Sequence, residues 1–313
     1  MSSGRVLVIT GPTATGKTAL GVELCKELCG EVVSADSMQL YKGMDIGTAK
    51  VTSSEMQGVA HHMIDVAEPW ESYSVARYVS EADACVQDIL SRGRLPVIVG
   101  GTGLYIDSLV RGIDFNDNAS DEALRHSLEE EYENAGGEEM LRRLSAFDPE
   151  RAARLHPADK KRILRAMEVY RLTGITITEH DARTRVLPPR YDCVKIALSY
   201  ENREELYARI DQRVELMAQA GLFDEVRTLL ESGLSDSCTA MQGIGYKEAA
   251  AALRGELSRE DALDLIKRES RRYAKRQLTW LRRDTEVKWI MWKEKPDFAY
   301  ARQLSTAFFM HRK

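Results

Sequence analysis

Residues 5–18 read RVLVITGPTATGKT. An apolar run, Val6 to Ile9, feeds a loop of the form G-x-x-x-x-G-K-[ST] at Gly11 to Thr18, and a helical pattern follows over Lys17 to Leu28. Strand, glycine loop and helix in that order form a phosphate-binding P-loop. Gly11 and Gly16 let backbone N–H groups turn inward, the helix N-terminus favours an anion, Lys17 adds a mobile positive charge, and the Thr18 hydroxyl can hold Mg²⁺. The loop is read as the site of a di- or triphosphate.

Outward from this loop, short apolar runs predict strands over 5–10, 31–34, 62–66, 96–99, 193–198 and 287–291, mostly separated by helical patterns. The expected fold class is α/β, a parallel sheet flanked by helices. The first helix is expected to stop at Gly30. From 116 to 185 strand character vanishes, Leu124, Leu128, Leu141 and Leu144 recur at helical spacing, and turns fall at Gly136-Gly137 and Asp148-Pro149. This stretch is expected to be an inserted all-helical domain closing at Pro188-Pro189. The core then comprises 1–115 and 186–313.

A chain of 313 residues with 43% hydrophobic and 30% charged residues excludes disordered, fibrous and disulfide-dense classes. No run is long enough for a membrane span, and the N-terminus lacks signal-peptide character, so a cytoplasmic protein is expected; the sequence does not fix the oligomeric state, and a monomer is the default expectation. The five scattered cysteines read as reduced thiols. His61-His62, lacking an acid or cysteine at ligand spacing, does not read as a metal site, and His156, His180, Trp70, Trp289 and Trp292 read as packing or surface residues. The net charge is −5, yet Lys267 to Arg283 carries eight cations against Glu269 alone. As a helix it gathers Arg268, Arg272, Lys275, Arg276, Arg282 and Arg283 on one face and Ile266, Tyr273, Trp280 and Leu281 on the other, which suggests a polyanion site.

The strand at 95–99 ends in Gly100-Gly101-Thr102-Gly103, without the carboxylate a nucleotide hydrolase or kinase places there to hold metal. The nearest acid, Asp36, follows the second strand and reads as a metal-holding acid, a general base or a helix cap. On the helix over 203–217, Arg209 has Glu205 four residues earlier and reads as a surface ion pair. Arg213 has Arg209 at that position instead, so an external anion would relieve it. Gln242 to Lys247 form a glycine-rich turn in which Gln242 can read a base edge and Tyr246 can pack beneath it, or which is a plain αα turn.

GPTATGKT at 11–18, SADSMQLYKGMDIGTAK at 34–50, VGGTGLY at 99–105, HPADKKRILRAMEVYRLTG at 156–174, RIDQRV at 209–214, QGIGYKE at 242–248 and KRQLTWLRR at 275–283 together resemble the tRNA isopentenyltransferase (dimethylallyltransferase) family, bacterial in type. The resemblance implies transfer of a dimethylallyl group from dimethylallyl diphosphate to the exocyclic amine of the adenine 3′ of a tRNA anticodon, with Mg²⁺ and release of pyrophosphate. It implies that Gly11, Thr13, Ala14, Thr15, Gly16, Lys17, Thr18 and Arg213 bind the diphosphate, and that Asp36 is the general base. Catalysis is expected to involve Lys17, Thr102 and Arg213 as well. Asp36, Ser37, Met38, Gln39, Thr102, Lys161, Arg162, Arg165, Gln242, Gly243, Tyr246, Lys247, Lys275, Arg276 and Arg282 correspond to tRNA-contacting positions, and the helical insertion is expected to embrace the anticodon stem. Thr15, Met167 and Lys161 depart mildly from the family pattern. The residues alone also fit a P-loop small-molecule kinase using ATP, or an RNA-binding protein gated by nucleotide, although the missing second-strand acid speaks against both.

Overall fold

The computed structural model describes residues 4–113, 121–186 and 188–311. Six parallel strands, β1 (Arg5–Thr10), β2 (Gly30–Ser34), β3 (His61–His62), β4 (Leu95–Val99), β5 (Asp192–Tyr200) and β6 (Lys288–Trp292), form one sheet in the order β3-β2-β4-β1-β5-β6. Burial on both faces explains why β1 and β4 are apolar runs and do not alternate. The helices before the insertion are α1 (Lys17–Glu27), α2 (Ser53–Met56), α3 (Val75–Ser91) and α4 (Gly103–Arg111). Leu20 and Leu24 of α1 join Leu7, Ile9, Val97 and Ile196 in the main core.

The chain divides into two compact units, Met1–Gly112 with Arg190–Lys313, and Ile113–Pro189. The second unit holds α5 (Glu122–Ala135), α6 (Gly137–Ser145), α7 (Pro149–Ala152), α8 (Lys160–Thr173) and α9 (Ile177–Val186). Its own core is built on Leu128, Met140, Leu144, Ile163 and Met167, with Leu124 and Leu141 packed against it. Asp148 caps α7 ahead of Pro149 and also accepts the Thr178 hydroxyl, tying α9 back to the unit. After the insertion the first unit continues with α10 (Arg203–Gln219), α11 (Leu222–Glu231), α12 (Tyr246–Leu253), α13 (Arg259–Leu281) and α14 (Phe298–Met310).

Two local expectations fail for backbone reasons. The strand expected over 62–66 ends at His62, because Met63 (φ 63°) and Asp65 (φ 55°) adopt left-handed backbone. Helix α1 ends through Cys29 at φ 53°, not through Gly30, which already begins β2. A Cβ on Gly30 would lie 2.7 Å from the Leu95 carbonyl oxygen, so this glycine serves strand approach and not helix termination. All five cysteines are free thiols. No described helix is long and apolar enough to cross a membrane.

Candidate active site

The P-loop joins β1 to α1 at the carboxyl edge of the sheet, where open α/β sheets place ligands. Gly11 has φ 138° and a Cβ there would sit 2.3 Å from the Leu198 carbonyl oxygen, so only glycine fits against β5. Ala14 (φ 64°) and Gly16 (φ 86°) make the remaining turns. The Thr15 hydroxyl donates to the Pro12 carbonyl at 2.9 Å, closing the loop on itself, and Lys17 Nζ donates to the same oxygen at 2.7 Å. Trp292, which the sequence suggests is a packing or surface residue, donates its indole N–H to the Thr15 carbonyl at 3.0 Å. Phe298 lies beneath Gly16. The C-terminal strand and helix thus buttress a loop near the start of the chain.

The charges around this loop oppose one another. Burial, followed by the nearby Arg213 guanidinium, pushes the Lys17 ammonium down to about 7, with Asp36 pulling the other way. Burial also lowers Arg213, against the pull of Asp36 and Glu55. Arg213 Nε is buried with no hydrogen-bond partner among the described residues. Two cations held close together at the cost of desolvation, one with an unsatisfied donor, make a site that favours a multivalent anion. The sequence expectation for Arg213 rested on the absence of a helix-local acid, and none pairs with it here. Its neighbour Arg209 does not pair with Glu205 as expected; its guanidinium lies 5.8 Å from the Tyr200 ring centroid.

Asp36 and Thr102 meet next to these cations. Asp36 Oδ1 accepts the backbone N–H groups of Met38 (2.9 Å) and Gln39 (3.3 Å), while Oδ2 has no hydrogen-bond partner among the described residues. This half-buried carboxylate is therefore pinned by one oxygen and open at the other. The Thr102 hydroxyl accepts the Ser37 N–H at 3.1 Å and its backbone N–H donates to the Ala35 carbonyl, which locks the two strand ends together. A Cβ on Gly100 would lie 2.2 Å from that same carbonyl oxygen, so close contact with the second strand end requires the glycine. Tyr273 of α13 sits beside Thr102 and Gln277; burial, reinforced by Asp36, pushes its hydroxyl up to about 12, so it stays protonated.

The Gln39 amide donates to the Thr48 and Ala49 carbonyls, and Met38 packs on Gly243 of the 242–247 turn. Tyr246 differs from its expected role beneath a base. It is fully buried, its hydroxyl donates to Glu225 at 2.6 Å, and its ring fills the space a Gly47 side chain would need. Glu225 in turn accepts the N–H groups of Asp45, Ile46 and Gly47 at 2.7–3.0 Å. Tyr246 and Glu225 thus hold the MDIG turn in shape. Gln242 and Lys247 are exposed on the same turn.

The basic face of α13 is shorter than its composition suggests. Arg271 pairs with Asp211 and Lys267 with Glu215, both acids from α10, while Arg268 and Arg272 share Glu269. Lys275, Arg276, Arg282 and Arg283 have no carboxylate partner among the described residues; Arg276 lies over Tyr273 and Arg283 over Trp280. Trp280, expected on the apolar face, is 37% exposed and donates its indole N–H to Asp107 at 2.6 Å. In the second unit Lys161 and Arg162 are exposed on α8, whereas Arg165 pairs with buried Glu168 at 2.8 Å, as does Arg125 at 2.9 Å. His62 likewise has a structural partner, Glu31, at 2.8 Å.

For a divalent cation the residues present are oxygen donors of the right kind: Thr18 is exposed on the first turn of α1, and Asp36 keeps one open carboxylate oxygen. No group of three acids, histidines or cysteines that could hold a metal occurs among the described residues. Mg²⁺, which keeps several waters and prefers substrate phosphates to an all-protein cage, suits such a sparse set.

A glycine cradle at the carboxyl edge of a parallel sheet, faced by two half-buried cations and a half-open carboxylate, defines a P-loop protein. Comparison with known proteins narrows this class. Residues 39–284 match the family model described as IPP transferase and residues 4–68 the one described as isopentenyl transferase. A tRNA dimethylallyltransferase of Caldanaerobacter subterraneus subsp. tengcongensis is 47% identical over 287 residues, covering 91% of each chain. The crystal structure of a tRNA isopentenylpyrophosphate transferase from Bacillus halodurans superposes with a TM-score of 0.73 at 41% identity, covering 98% of this chain and 97% of that one. A eukaryotic dimethylallyltransferase acting on tRNA superposes with a TM-score of 0.83 at 28% identity, covering 99% of this chain and 81% of that one. The chain belongs to the tRNA isopentenyltransferase family and has its P-loop fold.

Proposed function

We propose that this protein transfers a dimethylallyl group from dimethylallyl diphosphate to the exocyclic amine of the adenine 3′-adjacent to a tRNA anticodon, releasing pyrophosphate. The observation that carries the reading is the pairing of Lys17 and Arg213 at the P-loop with the open oxygen of Asp36 beside them. A kinase reading lacks its second-strand acid: β4 runs into glycines and Thr102.

The chemistry follows from these groups. An adenine amine is a weak nucleophile, so the demanding charge is the one that builds on the departing diphosphate as the allylic carbon–oxygen bond breaks and its electron pair leaves with the oxygen. Gly11, Thr13, Ala14, Thr15 and Gly16 cradle the diphosphate, while Lys17 and Arg213 stabilise its growing charge. Thr18 would hold Mg²⁺, which would supply further electrostatic stabilisation of that charge. As the new carbon–nitrogen bond forms, Asp36 Oδ2 takes the amine proton. Ser37, Met38, Gln39 and Thr102 border the base, which must leave its stack to reach the carboxylate and must fill the pocket before water does. The exposed Gln242 and Lys247, the free cations Lys275 and Arg276 of α13 and Arg282 just beyond its end, and Lys161 and Arg162 of α8 contact the RNA. The protein acts as a monomer in the cytoplasm.

The direct test incubates unmodified tRNA with dimethylallyl diphosphate or with ATP. The RNA is expected to gain the mass of one dimethylallyl group in the first case. Formation of ADP with no change in the RNA would favour a kinase and remove this reading.

A further inference from the structure

Gln277 lies in the stretch that resembles a tRNA-contacting segment, but its side chain is buried. Both ends of its amide are used. Oε1 accepts the Thr13 N–H of the P-loop at 3.1 Å, and Nε2 donates to the Gly101 carbonyl at 3.0 Å. These partners stand 264 and 176 residues away in the chain. The approach to Gly101 is so close that a Cβ there would sit 2.2 Å from Nε2. From Gly101 the connection continues directly, since the next residue, Thr102, accepts the Ser37 N–H, and Ser37 adjoins Asp36. One side chain therefore bridges the loop that would hold the leaving group and the turn that would present the base.

We propose that Gln277 is a positioning residue that keeps the diphosphate cradle in register with the Asp36 carboxylate; the proposal rests on the transfer reaction above. In-line attack needs the reacting carbon, the amine and the carboxylate aligned at once, and a misplacement of about 1 Å costs up to about 100-fold in rate. A residue that sets the spacing between two half-sites affects the chemical step more than the binding of either ligand alone.

The test measures three quantities on the full-length protein: the dissociation constant of inorganic pyrophosphate, that of unmodified tRNA, and the single-turnover rate of dimethylallyl transfer. Gln277→Met removes both hydrogen bonds at nearly constant volume. It is expected to slow transfer by about 30-fold or more while each dissociation constant stays within about threefold. Gln277→Glu gives a signature that loss of packing does not. Its carboxylate can accept from Thr13 but cannot donate to Gly101, whereas the protonated acid can do both, and burial raises its pKa. The ratio of its rate to the wild-type rate is therefore expected to rise as pH falls. Should Gln277→Met fail to fold, this ratio decides alone. A wild-type transfer rate in Gln277→Met, a loss of pyrophosphate affinity as large as the loss of rate, or a pH-independent ratio in Gln277→Glu would overturn the proposal and leave the transferase reading standing. A wild-type protein that transfers nothing to tRNA would instead sink that reading, and the proposal with it.

Discussion

At the scale of the residue, the site is a small set of charges kept in unfavourable surroundings. Burial and the Arg213 guanidinium push the Lys17 ammonium down to about 7. A bound diphosphate favours the charged form and raises that value, so between about pH 7 and the raised value binding takes up a proton, and affinity falls as pH rises through this window. Calorimetry of pyrophosphate binding in buffers of different ionisation enthalpy is expected to show this uptake at pH 8, and Lys17→Met is expected to abolish it. Gly11→Ala would force a Cβ against the Leu198 carbonyl oxygen at a φ that L-residues avoid. It is expected to destabilise the protein by about 3 kcal/mol in thermal unfolding and to remove pyrophosphate binding. The phosphate loop was legible because its glycines are needed at fixed spacing by the backbone itself. Gln277 and Trp292 were not, since nothing local tells a buried amide or indole that bonds a distant loop from one that only packs.

At the scale of the element, α13 shows how far periodicity reaches. Its charge pattern located a cationic segment, but Asp211 and Glu215, the acids that pair with Arg271 and Lys267, sit on α10 and become visible only when the helices pack. The same packing puts Trp280 at the surface, held by Asp107, where the helical wheel alone placed it inside. Each of Lys275→Ala and Arg282→Ala is therefore expected to weaken tRNA binding across sequences and to lower the salt slope of log affinity by about one, whereas Arg271→Ala leaves the slope unchanged and instead lowers thermal stability. Filter-binding titrations over a range of salt concentrations distinguish these outcomes. An equal effect of Arg271→Ala would mean that its pair with Asp211 opens on RNA. Strand β3 and the end of α1 were misjudged for a different reason: left-handed backbone at Met63, Asp65 and Cys29, all non-glycine residues, carries no sequence signal.

At the scale of the whole molecule, the chain makes two cores. The helical unit has its own apolar cluster, and Leu128 is completely buried within it. Leu128→Ala is expected to cost about 3 kcal/mol, read as faster hydrogen exchange within residues 121–186, with pyrophosphate affinity unchanged because the cradle belongs to the other unit. The change from strand to helix periodicity made this insertion visible in the sequence. The return of the last strand and helix to the cradle, with Trp292 and Phe298 against Thr15 and Gly16, was beyond it, because only the assembled sheet places β6 one strand away from β1.

The most direct measurement is the single-turnover rate of dimethylallyl transfer by Asp36→Asn, with pyrophosphate and tRNA affinities determined alongside. Asparagine keeps the shape of the turn and can still accept from Met38 and Gln39, but cannot take a proton from the amine. A fall in rate of about 100-fold or more with both affinities preserved is the expected result. Transfer at close to the wild-type rate would mean that the carboxylate beside the P-loop is not the base.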